Sequence, residues 1–333
     1  MAEATATLTK KDYKSDQEVR WCPGCGDYAI LNAIQMHLAE RQAKREKTVF
    51  VSGIGCSSRF PYYMDTYGFH TIHGRAPAFA TGIKTANPEL EVWLVTGDGD
   101  GLSIGGNHLA HILRRNVDVN ILLFNNEIYG LTKGQYSPTS PIGKRTKSSP
   151  LGSADRPFNP ISFALGCNAT FVSRTVDVDN KHMLKTFDAA AAHKGASFVE
   201  ILQNCVIFNK DFYADTVGKA VRDEQTIDLV PGEKMVFGKE RDKGIKLDGW
   251  DVKVVAAADA DVWDPTVSSS APAFLMSMMD KDPALPTPIG IFRQVDDLVY
   301  DEAVNRQIEQ AIASKGRGKV EDLVWSGETW EVA

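Results

Sequence analysis

Residues 91–135 read EVWLVTGDGDGLSIGGNHLAHILRRNVDVNILLFNNEIYGLTKGQ, and this stretch decides the fold. Its two apolar runs, 91–96 and 117–124, are near-continuous rather than alternating, which is the pattern of strands covered on both faces. Between them, 103–115 has a helical pattern. A strand, a helix and a second strand over this length make a parallel unit. Working outward, TVFVS at 48–52 is a β-branched strand, and 76–85 has a helical composition. Residues 27–44 predict a helix that starts after Gly26 and carries Ile30, Ile34 and Leu38 on one face. Beyond the stretch, 169–173, 179–193 and 198–202 continue as strand, helix and strand. The expected fold is therefore α/β, a doubly wound and mostly parallel sheet. It is flanked by a polar arm at 1–20 and a long Ser/Pro/Gly/Thr-rich loop at 136–160. The domain spans 21–208, and 209–333 forms an irregular extension on the core and a partner. Within it, 208–262 is charged and irregular. Residues 263–290, with Pro265, Pro272, Pro283, Pro286 and Pro288, suit a segment wrapped over a partner surface, and 300–315 a last amphipathic helix.

In an open parallel sheet, ligands bind beyond the carboxyl ends of the strands. Gly97-Asp98-Gly99-Asp100-Gly101 ends one predicted strand, and Asn125-Asn126-Glu127-Ile128 ends the next. Mg²⁺ takes oxygen ligands, one or two from the protein and the rest from phosphate and water. Asp98 offers a carboxylate, Asn126 a side-chain carbonyl and Ile128 a backbone carbonyl. The glycines let backbone approach phosphate, and a helix opening at Ser103 would aim its N-terminal dipole at the anion. The pattern fits a divalent cation bridging a diphosphate.

Composition sets the boundaries. The chain has 333 residues, 43% of them hydrophobic, enough for a large core, and a net charge of -6 with no basic stripe to bind nucleic acid. No run approaches the ~18 apolar residues of a membrane span, and the polar N-terminus does not resemble a signal peptide. A cytoplasmic, reducing setting is expected. The five cysteines are too few and too scattered for a disulfide scaffold. Cys22-Pro-Gly-Cys25 is a tight pair before the first helix, while Cys56 and Cys205 follow predicted strands at the same sheet edge. Four thiolates converging there suit a [4Fe–4S] cluster. On the residues alone a Cys₄ zinc site and a thioredoxin-like pair remain open. Cys167 has no assigned role.

Gly-Asp-Gly followed after roughly 25–30 residues by Asn-Asn is the thiamine-diphosphate fingerprint. Together with the cysteines, the chain resembles the β subunits of 2-oxoacid:ferredoxin oxidoreductases, strongly over residues 15–235, and the 2-oxoglutarate members most. The resemblance implies a pyrophosphate-type domain holding thiamine diphosphate, Mg²⁺ and one [4Fe–4S] cluster on Cys22, Cys25, Cys56 and Cys205. It implies cofactor contacts from Ile54, Gly55, Cys56 and Ser57, from His73, from Gly97, Gly99 and Asp100, and from Gly130, Leu131 and Thr132. It implies an α subunit supplying the pyrimidine-binding domain and its glutamate, an (αβ)₂ assembly, and ferredoxin, coenzyme A and a 2-oxoacid as partners. The chain alone would be inactive. Lys133, helped by Arg59, is placed to pair with the distal carboxylate that distinguishes 2-oxoglutarate from pyruvate. A non-oxidative thiamine decarboxylase or synthase would explain the Gly-Asp-Gly and Asn-Asn turns but not the cysteines. A zinc-stabilised binding module would explain only the cysteines.

Overall fold

The computed structural model describes residues 7–332. Eleven strands form among them: β1 (Thr48–Ser52), β2 (Tyr67–His70), β3 (Glu91–Gly97), β4 (Asn120–Asn125), β5 (Phe171–Val176), β6 (Ser197–Leu202), β7 (Thr226–Leu229), β8 (Val236–Phe237), β9 (Lys243–Asp248), β10 (Asp251–Ala256) and β11 (Thr287–Gln294). Eight of them make one sheet in the order β2-β1-β3-β4-β6-β5-β11-β7. The first six are mutually parallel, and β11 joins β5 antiparallel.

Every residue of β1, β4, β5 and β6 is buried, and the side chains alternate between two cores as a period of two requires. Val92, Leu94, Ile121 and Leu123 face one core, with helices α2 (Ala76–Ala86), α4 (Gly106–Arg115) and α5 (Pro160–Gly166). Trp93, Val95, Leu122 and Phe124 face the other, with α1 (Asp27–Glu40) and α6 (Asn180–Ala192). Each fully buried large apolar side chain here is worth about 1.5–3 kcal/mol relative to exposure. The predicted doubly wound, mostly parallel sheet is what forms.

Several expected boundaries move, each for a local reason. Helix α1 ends at Glu40 rather than 44, because Gln42 turns left-handed at φ 52 and the Ala43 amide closes back on the Leu38 carbonyl at 2.9 Å. The helix expected from Ser103 is split. Residues Asp98–Leu102 form their own helical turn, α3, Ser103 breaks it at ψ -109, and α4 starts at Gly106. The turn facing the crevice therefore begins at Asp98 itself.

The arm is docked where it is described. Tyr13 is buried and donates to the Ala43 carbonyl at 2.6 Å, while positions 1–6 lie outside the described residues. The charged stretch 208–262 contains a small three-stranded sheet, β10-β9-β8. Much of 263–290, expected to lie over a partner, is committed to its own core: Trp263, Ala273, Met276 and Met279 are buried in the same cluster as the sheet. Apolar residues hidden among prolines and charges explain why that segment read as irregular. No helix among the described residues is long and apolar enough to cross a membrane.

Candidate active site

Strands β1, β3, β4 and β6 are neighbours, and all end at the same edge. Their four following loops therefore meet. One cleft is walled by Ile54, Gly55, Cys56, Ser57 and His73 on one side, by Gly97, Asp98, Gly99 and Asp100 below, and by Asn126, Ile128, Gly130, Leu131 and Thr132 on the other. Every residue expected to hold metal or diphosphate lies in it.

Asp98 is 2% exposed. Its Oδ2 accepts hydrogen bonds from Ser137 Oγ and Thr139 Oγ1, both at 2.6 Å, which leaves Oδ1 outside that pair. Burial pushes its carboxyl up to about 6, against those hydroxyls. A carboxylate so placed gains from a bound cation. Asn126 is fixed as well: its Nδ2 donates to Gln203 Oε1 at 2.7 Å, and its Oδ1 accepts from the Ile128 amide at 3.2 Å. One carboxylate, one amide oxygen and one main-chain carbonyl then suit Mg²⁺ with phosphate oxygens completing the shell.

Asp100 points elsewhere. Its Oδ1 accepts from the Ile54 and Gly74 amides at 3.1 and 2.8 Å, and its Oδ2 from Thr96 Oγ1 at 2.8 Å. It lines the cleft by sewing the β1 and β2 loops to the β3 turn. His73 stands 3.9 Å from the same Oδ1 with its side chain 65% exposed. Gly99 is required by packing: a Cβ there would sit 2.2 Å from the Tyr129 ring, whose hydroxyl donates to the Gly99 carbonyl at 3.2 Å.

A second cavity adjoins the first and is lined by Cys22, Cys25, Cys56 and Cys205. A Cβ at Gly130 would lie 3.5 Å from Cys56 Sγ and 3.6 Å from Cys205 Sγ, so two sulfurs flank the same point. Burial, then the carboxyl of Asp27, pushes the Cys56 thiol up to about 12, and Cys25 is raised further by the same causes. Buried thiols of this kind need positive charge to ionise, as iron would supply. Among the described residues no three His, Cys, Asp or Glu side chains stand close enough to share one ion. Cys167 lines neither cavity and packs beside the core.

Lys133 and Arg59 line the cysteine cavity rather than the diphosphate cleft. Arg59 Nε donates to Tyr63 Oη at 3.0 Å. Lys133 sits at φ 77 in a tight turn closed by the Gly134 amide on the Tyr129 carbonyl at 2.9 Å. Ser137, Thr139, Tyr129, Gln203 and Asp27 carry no motif that singles them out in the sequence, yet each stands at one of the two cavities or beside a residue that does. The two hydroxyls belong to the Ser/Pro/Gly/Thr-rich loop 136–160, whose composition does not single out which residues act. Asp27 is fully buried, both its carboxyl oxygens lack a hydrogen-bond partner among the described residues, and burial raises it to about 7. Only its place directly after Cys25-Gly26 hinted at that.

The paired turns, the two-faced parallel sheet and the oxygen-lined cleft define a thiamine-diphosphate-binding α/β domain. In agreement, residues 53–201 match the family described as "Thiamine pyrophosphate enzyme, C-terminal TPP binding domain". The chain belongs to the β subunits of the 2-oxoacid:ferredoxin oxidoreductases. It is 52% identical to the 2-oxoglutarate oxidoreductase subunit KorB of Mycobacterium tuberculosis, over 97% of this chain and 88% of that one. It is 41% identical to the 2-oxoglutarate synthase subunit KorB of Archaeoglobus fulgidus, over 66% of this chain and 84% of that one. Among solved structures, the 2-oxoglutarate:ferredoxin oxidoreductase of Magnetococcus marinus, determined with 2-oxoglutarate, coenzyme A and succinyl-CoA, superposes with a TM-score of 0.77 at 32% identity, covering 98% of both chains.

Proposed function

We propose that the chain, with its α subunit in an (αβ)₂ assembly, converts 2-oxoglutarate, coenzyme A and oxidised ferredoxin reversibly to succinyl-CoA, CO₂ and reduced ferredoxin. The observation that carries this reading is a shared wall: Cys56, Asn126, Gly130 and Leu131 line both the diphosphate cleft and the four-cysteine cavity. A two-electron oxidation that must deliver electrons singly needs a one-electron carrier beside the reacting centre, and this arrangement provides the place for one. Thiamine diphosphate, when bound, supplies the electron sink for loss of CO₂.

The chain's own residues do the rest. Asp98, Asn126 and the Ile128 carbonyl hold Mg²⁺, with Ser137 and Thr139 keeping the Asp98 carboxylate aimed. Cys22, Cys25, Cys56 and Cys205 hold the cluster. Ile54, Gly55, Ser57 and His73 fix the near side of the cofactor, with Gly97, Gly99 and Asp100 beneath it. Thr132 and Leu131 form the wall beside the substrate, and Lys133, assisted by Arg59, pairs with its distal carboxylate. The pyrimidine-binding domain and its glutamate come from the α subunit. The names of the relatives support 2-oxoglutarate over pyruvate as substrate.

The test is anaerobic co-purification with the α subunit, followed by ferredoxin or viologen reduction with several 2-oxoacids. Reduction dependent on 2-oxoglutarate and coenzyme A is expected. Faster turnover of pyruvate would overturn the substrate assignment, and no reduction with any 2-oxoacid would overturn the reaction. Lys133→Ala is expected to lower kcat/KM for 2-oxoglutarate about 10- to 100-fold, the worth of one charge-assisted contact, and to spare pyruvate. Because Lys133 lies on the cysteine side of the shared wall, equal loss with both acids would instead assign it to balancing cluster charge.

A further inference from the structure

Gln203 follows β6 directly and is 1% exposed. Its backbone amide extends the β4–β6 ladder, donating to the Asn125 carbonyl at 2.9 Å. Its side chain lines the cysteine cavity and contacts Asn126, which lines both cavities. Nε2 lies 2.7 Å from the Asn204 carbonyl and 3.3 Å from Cys25 Sγ, and Oε1 lies 2.7 Å from Asn126 Nδ2.

The orientation of this amide is forced by its partners. The Asn204 carbonyl only accepts, so the amino group of Gln203 must face it and, beside it, the sulfur. The carbonyl of Gln203 must then face Asn126 and take a proton from its amino group. That turns Asn126 Oδ1 the other way, toward the amide of Ile128 at 3.2 Å, a residue that lines the diphosphate cleft and not the cysteine cavity. Flipping Gln203 would set oxygen against oxygen at one end and amino group against amino group at the other. One buried amide thus decides which atom of Asn126 a metal would meet, and presents an N–H to a cysteine sulfur.

We propose that Gln203 is a positioning residue for both centres, its carbonyl fixing Asn126 as an oxygen ligand for Mg²⁺ and its amino group donating an N–H···S bond to Cys25 that raises the potential of the cluster. This rests on the metal and cluster assignments made above. Groups that orient a metal ligand typically change metal affinity 10- to 100-fold when removed, and hydrogen bonds to the sulfurs are among the factors that set cluster potentials.

Two substitutions in the anaerobic αβ complex separate the two roles. Gln203→Met keeps the length of the side chain and loses both bonds. Gln203→Glu keeps an oxygen for Asn126 and loses the N–H toward Cys25. The readouts are the Mg²⁺ concentration for half-maximal thiamine diphosphate binding, followed by fluorescence quenching, and the midpoint potential from a redox titration followed by electron paramagnetic resonance. Gln203→Met is expected to raise the Mg²⁺ requirement at least about 10-fold and to shift the potential to more negative values. Gln203→Glu is expected to leave the Mg²⁺ requirement within about 3-fold of the parent, since the acceptor for Asn126 remains, and to shift the potential in the same negative direction. Unchanged values in both variants, or equal rises in the Mg²⁺ requirement with no change of potential, would overturn the inference. Since the charge added in Gln203→Glu lowers the potential by itself, the shift in the uncharged Gln203→Met decides the sulfur role, and Gln203→Leu takes its place if Gln203→Met does not accumulate. A parent complex with no reducible cluster overturns the function proposed above along with this inference. A normal parent with unresponsive variants overturns the inference alone.

Discussion

Asp98→Ala is expected to abolish Mg²⁺-dependent binding of thiamine diphosphate and to reduce turnover at least about 10³-fold, since a metal's stabilisation of developing charge is worth several kcal/mol and each 1.36 kcal/mol is tenfold. Asp98 is the carboxylate in the proposed ligand set, and Asp100, the other acid that lines the cleft, is already engaged by the Ile54 and Gly74 amides and the Thr96 hydroxyl. The scaffold should survive the change. Thr139 Oγ1 is already 3.0 Å from Asn125 Oδ1, and Ser137 Oγ is 3.3 Å from Ser140 Oγ. Both hydroxyls therefore have other acceptors when Asp98 is gone. The melting temperature of the cofactor-free chain is expected to stay within a few degrees of the parent, while the stabilisation that Mg²⁺ and thiamine diphosphate together confer on the parent disappears. Calorimetry with and without the ligands reads both quantities. Retained ligand stabilisation in Asp98→Ala would remove Asp98 from the metal site.

Cys205→Ser is expected to have the second largest effect, and of a different kind. With one of four thiolates lost, the broad absorption near ~400 nm that dithionite bleaches should fall to a small fraction of the parent value, and ferredoxin reduction should drop about 10³-fold or more for want of a one-electron carrier. Binding of Mg²⁺ and thiamine diphosphate should persist, because Cys205 lines only the cysteine cavity. Cys167→Ser is the control, since Cys167 lines neither. Parent-like absorption in Cys205→Ser, or equal losses in the two variants, would show that the four cysteines do not act together.

The architecture was legible in the chain because buried parallel strands cannot hide. VWLV and ILLF are apolar on both sides, FVEIL is apolar but for Glu200, which pairs with Arg174, and the turns after the first two carry residues that suit oxygen chemistry. Cys56 and Cys205 could be assigned to one edge from topology alone, since each directly follows a strand of the same sheet. What sequence could not supply was orientation. Asp100 stands two places from Asp98 in the same run of glycines, yet the helical turn of α3 rotates it away to bind the Ile54 and Gly74 amides. Lys133, expected over the substrate, stands in the tight turn between Tyr129 and Gln135 and lines the cysteine cavity, which shares a wall with the diphosphate cleft. The partners of Asp98 come from about forty residues downstream, a separation that no local pattern encodes. The strands at 226–229 and 287–294 are not evident in the sequence because the first has only four residues and both lie among prolines and charges.

That last pair of strands has a consequence for biogenesis. Until 287–294 has been synthesised, β5 has a neighbour on one side only, and its other side is an open row of amides and carbonyls backed by apolar faces. A nascent chain thus carries a sticky margin through about a hundred residues of further translation, the kind of unpaired edge that invites self-association. A polypeptide stopped short of 287 is expected to form soluble aggregates that light scattering detects at concentrations where the full-length product is monodisperse. Closure of the sheet by a strand this late makes the C-terminal third a built-in quality check, since the margin is sealed only once 287–294 has been made.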